Sequence, residues 1–143
     1  MKIQGVLIDG FKNLFDVKIV FDDITALVAL NNFGKSNVLT AIDFGLAFIK
    51  ASVDVKQTMM SNSNLIPINV NMFARNFKFQ TEVLTELQGK KYRIEYQYEF
   101  SWKTSEKVEP EIVFESLKIK LDEKGQKYTQ LVLRKNQNAS YKS

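Results

Sequence analysis

The residues best suited to chemistry lie together in one segment, Ala29-Leu30-Asn31-Asn32-Phe33-Gly34-Lys35-Ser36. From Gly34 onward it matches the phosphate-loop pattern, in which a glycine and four residues precede Gly-Lys-Ser/Thr. The pattern has a physical basis. Backbone N–H groups of a tight turn point inward at phosphate oxygens, and the positive N-terminal end of the next helix faces the same anion. In such a loop Gly34 lets the backbone come close, Lys35 sets a cation on the terminal phosphates, and the Ser36 hydroxyl ligates a magnesium ion. One position departs from the pattern: Ala29 stands where the first glycine belongs. A Cβ disfavours positive φ, and a left-handed conformation there would cost about 1–2 kcal/mol.

The elements around the loop are those it needs. Ile24–Leu30 is a continuous apolar run, which fits a strand covered on both faces. Beyond the loop, Val38, Leu39, Ile42, Leu46 and Ile49 fall at helical spacing and predict a helix from about Lys35 to Ala51. A chance Gly-Lys-Ser is the plain alternative; strand, turn and helix in this order favour the phosphate loop. Upstream, Lys2–Ile8 and Phe15–Phe21 read as strands, and the short link Asp9–Leu14 suits an antiparallel hairpin. Residues 51–73, rich in Ser, Asn and Met, show no period and read as an irregular connection.

From residue 74 to 135 strands dominate. In Tyr92–Trp102 apolar and aromatic residues alternate strictly with polar ones. Phe77–Leu87 is its partner across the turn Gln88-Gly89-Lys90, and a second hairpin joins Ile112–Leu121 to Lys127–Arg134. Residues 136–143 read as a frayed tail. The fold class is therefore α+β, an α/β P-loop NTPase fragment. It has an N-terminal β-hairpin, the phosphate-loop strand and helix (1–50), and then a mostly antiparallel β-subdomain packed alongside (74–135). The aromatic stripe could stack nucleic-acid bases, but strict alternation favours a core face. Glu95 and Glu99 read as a solvated face, and Lys118, Lys120, Lys124 and Lys127 as the outer side of an edge hairpin.

Composition narrows the chemistry further. At 143 residues the chain is one domain or a small two-part unit, and 45% hydrophobic with 25% charged residues is ample for a core. There is no Cys and no His, which removes disulfides, thiolate or imidazole metal sites, and Ser-His pairs. Twenty basic against sixteen acidic residues give a net charge of +4, a mild excess that fits a solvated mixed-charge surface. The start lacks the pattern of a signal peptide. Apolar runs fall short of the roughly 18–20 residues that cross a bilayer. The expectation is a cytoplasmic protein with no membrane contact.

Three stretches resemble a known family. Met1-Lys2-Ile3 through Asp9-Gly10-Phe11-Lys12-Asn13-Leu14, the run Leu30 to Ile42, and the hairpin around Gly89-Lys90-Lys91-Tyr92-Arg93 are similar to the N-terminal lobe of an ABC-type ATPase head. The kind is SMC/RecF/OLD-like, among bacterial AAA-family ATP-binding proteins often linked to phage defence. The resemblance implies binding of ATP and Mg2+ at a Walker A loop, with Asn31, Asn32, Phe33, Gly34, Lys35, Ser36 and Asn37 at the nucleotide. Asn31 and Asn32 would shape the loop, Phe33, Val38 and Ile42 would pack, and Ser36 would be the metal ligand. By motif position Lys12 would lie near the nucleotide, against the alternative of a solvated turn lysine.

The departures define the expected activity. No apolar run ends in Asp-Glu, no Leu-Ser-Gly-Gly-like signature occurs, and Gln57 and Gln126 do not fit a magnesium-contacting glutamine. No catalytic residue is assigned. The expectation is an ATP-binding lobe whose hydrolysis needs a C-terminal lobe and dimerisation, with homodimers in the full-length protein and DNA as a further candidate partner. An incomplete sheet would leave an apolar face prone to self-association. The alternative is a non-enzymatic nucleotide- or nucleic-acid-binding module with a degenerate loop.

Overall fold

The computed structural model describes residues 2–21, 35–67, 75–105, 107–135 and 138–141. Ile24–Leu30 and Asn31–Gly34, the expected loop strand and most of the loop itself, lie outside them. The described strands are β1 (Lys2–Asp9), β2 (Val17–Val20), β3 (Phe77–Leu87), β4 (Lys90–Phe100), β5 (Ile112–Leu121), β6 (Thr129–Lys135) and β7 (Asn138–Tyr141). They form one antiparallel sheet in the order β2-β1-β3-β4-β5-β6-β7. Two helices, α1 (Lys35–Lys50) and α2 (Val53–Met60), complete the described elements.

Several expectations need correction. The β-subdomain does not simply pack alongside the N-terminal hairpin: β1 pairs with β3, Val6 opposite Thr81 and Ile8 opposite Phe79, so both halves share one sheet. The second strand is shorter than Phe15–Phe21, because Asp16 takes φ 51° and breaks the extended run before Val17. Residues 51–73 are not irregular throughout. Ser52 caps α2, its Oγ accepting from Val55 N at 3.3 Å, and Asp54 in the first turn suits the helix dipole. Within 136–143, expected to fray, β7 pairs with β6, Leu133 opposite Ser140. The lysine-bearing β5–β6 hairpin is therefore internal, flanked by β4 and β7.

Period two builds the core. Phe77 and Phe79 on β3 stand opposite Phe100 and Tyr98 on β4, and all four are buried. Their face meets α1, where Phe48 stacks on Tyr98 at 4.8 Å and on Phe100 at 5.0 Å between centroids. Phe44 reaches Phe77 edge-on at 5.2 Å. Each such pair adds about 0.5–1.5 kcal/mol beyond the area it buries. The stripe read from the large aliphatics packs in part, with Val38 buried and Ile42, Leu46 and Ile49 half-buried against the core. Val38, Ala41, Gly45 and Phe48 are buried, while Leu39 is exposed. At Gly45 only a residue without a side chain fits, because the Phe79 ring lies directly beneath it. The Tyr98 hydroxyl donates to the Gly45 carbonyl at 2.7 Å, which pins the helix at its closest approach.

Two predictions follow from this contact. A Cβ at Gly45 would sit 2.2 Å from the Phe79 ring, which is fully buried and has nowhere to move. Alanine's helix propensity would return about 1 kcal/mol, yet overpacking costs about 1–3 kcal/mol. Gly45→Ala is expected to be net destabilising in urea unfolding; equal or greater stability would overturn the close packing. The second concerns alkali. Burial pushes the Tyr98 hydroxyl well above its usual value of 10.0, and burial followed by the Glu115 hydrogen bond does the same for Tyr96. A raised folded-state pKa means the unfolded chain loses its proton first. Stability should therefore hold below about pH 10 and fall above it, and Tyr98→Phe should flatten that fall in unfolding curves taken across the range.

Candidate functional site

The best-organised polar structure surrounds the turn between β1 and β2. Gly10 takes φ 76°, and a Cβ there would lie 2.0 Å from the Asn76 carbonyl oxygen, so only glycine fits. Gly10 N donates to Leu14 O at 3.0 Å, and Leu14 N returns a bond to Phe11 O at 2.8 Å. Lys12 stands at the tip with φ 48°, a conformation uncommon for a non-glycine residue. Its N–H donates to Leu65 O at 2.8 Å.

The rest of the molecule grips this turn. The buried Phe11 ring packs on Phe44 of α1 at 5.6 Å and on Phe77 at 6.0 Å. Trp102, the single tryptophan, donates its Nε1–H to Gly10 O at 2.9 Å. At the mouth, Asp9 is 1% exposed; it accepts from Asp16 N at 3.1 Å and from the Arg75 guanidinium. The hydrogen bond with Asp9 is the main reason that guanidinium is held further above its usual pKa. Asn37 Nδ2 donates to Asn13 Oδ1 at 2.9 Å, which joins the turn directly to the first turn of α1.

Of the residues that the sequence placed at a nucleotide, this arrangement brings Lys12 and Asn37 into one neighbourhood. Lys35 and Ser36 open α1, two positions and one position before Asn37. Asn31, Asn32, Phe33 and Gly34 lie outside the described residues. Gln57, set aside as a metal ligand, donates to Pro110 O at 3.5 Å, while Gln126 sits in the β5–β6 turn. The residues that sequence reasoning missed are Asp9, Asp16, Arg75 and Trp102. Gly10 was a visible turn signal, but nothing local marks which distant side chains close around it.

The electrostatics suit an anion at this end of α1. Its first turn carries no acidic side chain, in contrast to Asp54 in α2, so no carboxylate within that turn opposes the positive end of the dipole. Among the described residues no group of three or more acidic, His or Cys side chains could hold a metal by itself. A magnesium ion held by one hydroxyl, water and phosphate oxygens fits that chemistry. On the opposite face of the sheet Arg93 pairs with Glu82 and with Asp122 at 2.9 Å, and Lys78 with Glu99 at 3.8 Å.

A family model for the AAA ATPase domain matches residues 1–143, the full length of the chain. The chain belongs to that AAA ATPase domain family. No curated protein and no solved structure matches it significantly. Membership supports an ATP-binding, ATPase-type function. Among the described residues no helix is long and apolar enough to cross a membrane.

The indole bond gives this AAA domain a direct stability test. Trp102→Phe preserves an aromatic ring but leaves the buried Gly10 carbonyl without its donor, a loss of about 1–3 kcal/mol. Urea unfolding should register that loss; a change under about 0.5 kcal/mol would mean the bond does not hold the turn.

Proposed function

We propose that this chain binds ATP with Mg2+ at the N-terminal end of α1, as the nucleotide-binding lobe of an ABC-type head of the RecF, SMC and OLD kind. The observation that carries the reading is the Asn37–Asn13 hydrogen bond. It holds the Lys12 turn against the helix end that Lys35 and Ser36 open. In this reading Asn31, Asn32, Phe33 and Gly34 supply the loop around the phosphates. Lys35 neutralises the terminal phosphates, Ser36 and Asn37 lie beside them, and the Ser36 hydroxyl ligates Mg2+. Lys12 adds a second cation from the side. Magnesium supplies charge neutralisation across the phosphate oxygens. The link to phage defence belongs to the same reading.

Binding and hydrolysis are separate matters here. Phosphoryl transfer relies on several positioned charges acting together. The sequence holds neither an apolar run ending in Asp-Glu nor a Leu-Ser-Gly-Gly-like signature. Hydrolysis would then require a further lobe to bring the carboxylate and a second copy to close over the nucleotide. In that assembly DNA is a candidate partner.

Titration with a fluorescent ATP analogue in Mg2+ tests the proposal. Binding should be saturable and at least about tenfold weaker in Lys35→Ala, since a lost contact to a charged group is worth about 1.5–3 kcal/mol. Equal, negligible binding by both proteins would favour a non-enzymatic module with a degenerate loop. DNA binding that is salt-dependent and survives Lys35→Ala would favour the nucleic-acid form of that alternative.

A further inference from the structure

One side chain closes the mouth of the Lys12 turn from far along the sequence. Arg75 Nε lies 2.9 Å from Asp9 Oδ1 and donates to Asp9 Oδ2 at 3.0 Å. Its second terminal nitrogen donates to Asp16 Oδ2 at 3.0 Å. Asp9 ends β1 and Asp16 comes directly before β2, so the two carboxylates mark the entry and exit of the turn. The Phe15 ring lies 5.4 Å from the guanidinium carbon and adds a cation–π contact. A guanidinium has a rigid planar fork that can hold two carboxylates at fixed spacing, whereas a lysine ammonium is a single point charge.

We propose that Arg75 is a positioning residue for nucleotide binding, setting the Lys12 turn against the start of α1 by clasping Asp9 to Asp16. This inference rests on the ATP-binding reading above. Asp9 is buried, so the clasp anchors to the rigid end of β1. Asp16 is exposed, with its side chain 76% accessible, and is the movable partner that the clasp draws in. Between them the backbone has little freedom left: Trp102 holds Gly10, Leu65 holds Lys12, and Asn37 holds Asn13. Arg75 acts on the nucleotide through Lys12, not by touching it.

The test combines affinity with a spectroscopic signature. Arg75→Lys keeps the charge and loses the fork; Asp16→Asn, at an exposed position, is the variant that folds if the first does not. Arg75→Lys is expected to weaken binding of the fluorescent ATP analogue about 5–10-fold, and Asp16→Asn about 2–3-fold. Arg75→Lys combined with Lys12→Ala should bind no worse than Lys12→Ala alone, because the two act in series. Without nucleotide, the indole N–H resonance of Trp102, bonded to Gly10 in the same turn, should shift in both single variants. Unchanged affinity, additive losses with Lys12→Ala, or an unmoved indole resonance would each overturn the positioning role while Lys35-dependent binding remained. Wild-type protein that binds no better than Lys35→Ala would instead overturn the ATP reading, and the positioning role with it.

Discussion

The fit between Gly45 and the Phe79 ring governs where α1 lies. A helix can approach a sheet this closely only where its facing residue has no side chain, and the rings beneath are locked by one another. Phe77, Phe79, Tyr98 and Phe100 form a two-strand aromatic floor, and Phe44 and Phe48 close it from above. The Tyr98 hydroxyl reaching the Gly45 carbonyl converts a non-directional contact into a fixed one. Hydrophobic burial alone would permit the helix to slide or rotate; a buried hydrogen bond to its backbone does not, since breaking it strands two polar groups. The start of α1, with Lys35 and Ser36, is placed by this contact three turns away.

The opening turn uses the same logic with polar groups. Its backbone could not stay buried without partners, and each strained or buried atom has one: Trp102 for the Gly10 carbonyl, Leu65 for the Lys12 amide, Asp9 for the Asp16 amide. A positive φ at Lys12 is tolerated because the surroundings over-determine it. Phe11 joins the two systems, since its ring lies between Phe44 of the helix and Phe77 of the floor. Turn and helix are therefore parts of one packed unit, and the Asn13–Asn37 bond spans a gap whose two sides are already fixed.

How much of this was legible follows from which forces are local. β3 and β5 were read to the residue, because period-two alternation between firm turns carries both type and limits. α1 was read to within one residue at its end, and its buried face in part: Val38, Ile42, Leu46 and Ile49 meet the core. Counting large aliphatics also pointed to Leu39, which is exposed, and passed over Ala41 and Gly45, which the floor buries. α2 was missed because its first turn exposes Val53 and Val55, which hides any apolar stripe. Pairing of β1 with β3 joins segments about seventy residues apart, and no local pattern records such a register. The same holds at the candidate site. Lys12, Lys35 and Ser36 stand out by motif, while Asp9, Asp16 and Arg75 look like ordinary solvated charges until the fold gathers them.

That division bears on how a nucleotide could be held by a chain without histidine or cysteine. The available charges are lysines, a helix end and backbone amides, each of which is weak in water and strong only when held in place. Ala29 stands where the loop pattern has its first glycine. If its backbone is strained, the cost of about 1–2 kcal/mol falls on the loop, and affinity then depends more on groups that are ordered by other means. The Lys12 turn is held through β1, Trp102 and Arg75. In the proposed reading a lateral cation held by this turn would offset part of any affinity lost at the loop, because its ordering entropy is lost in folding and not again on binding.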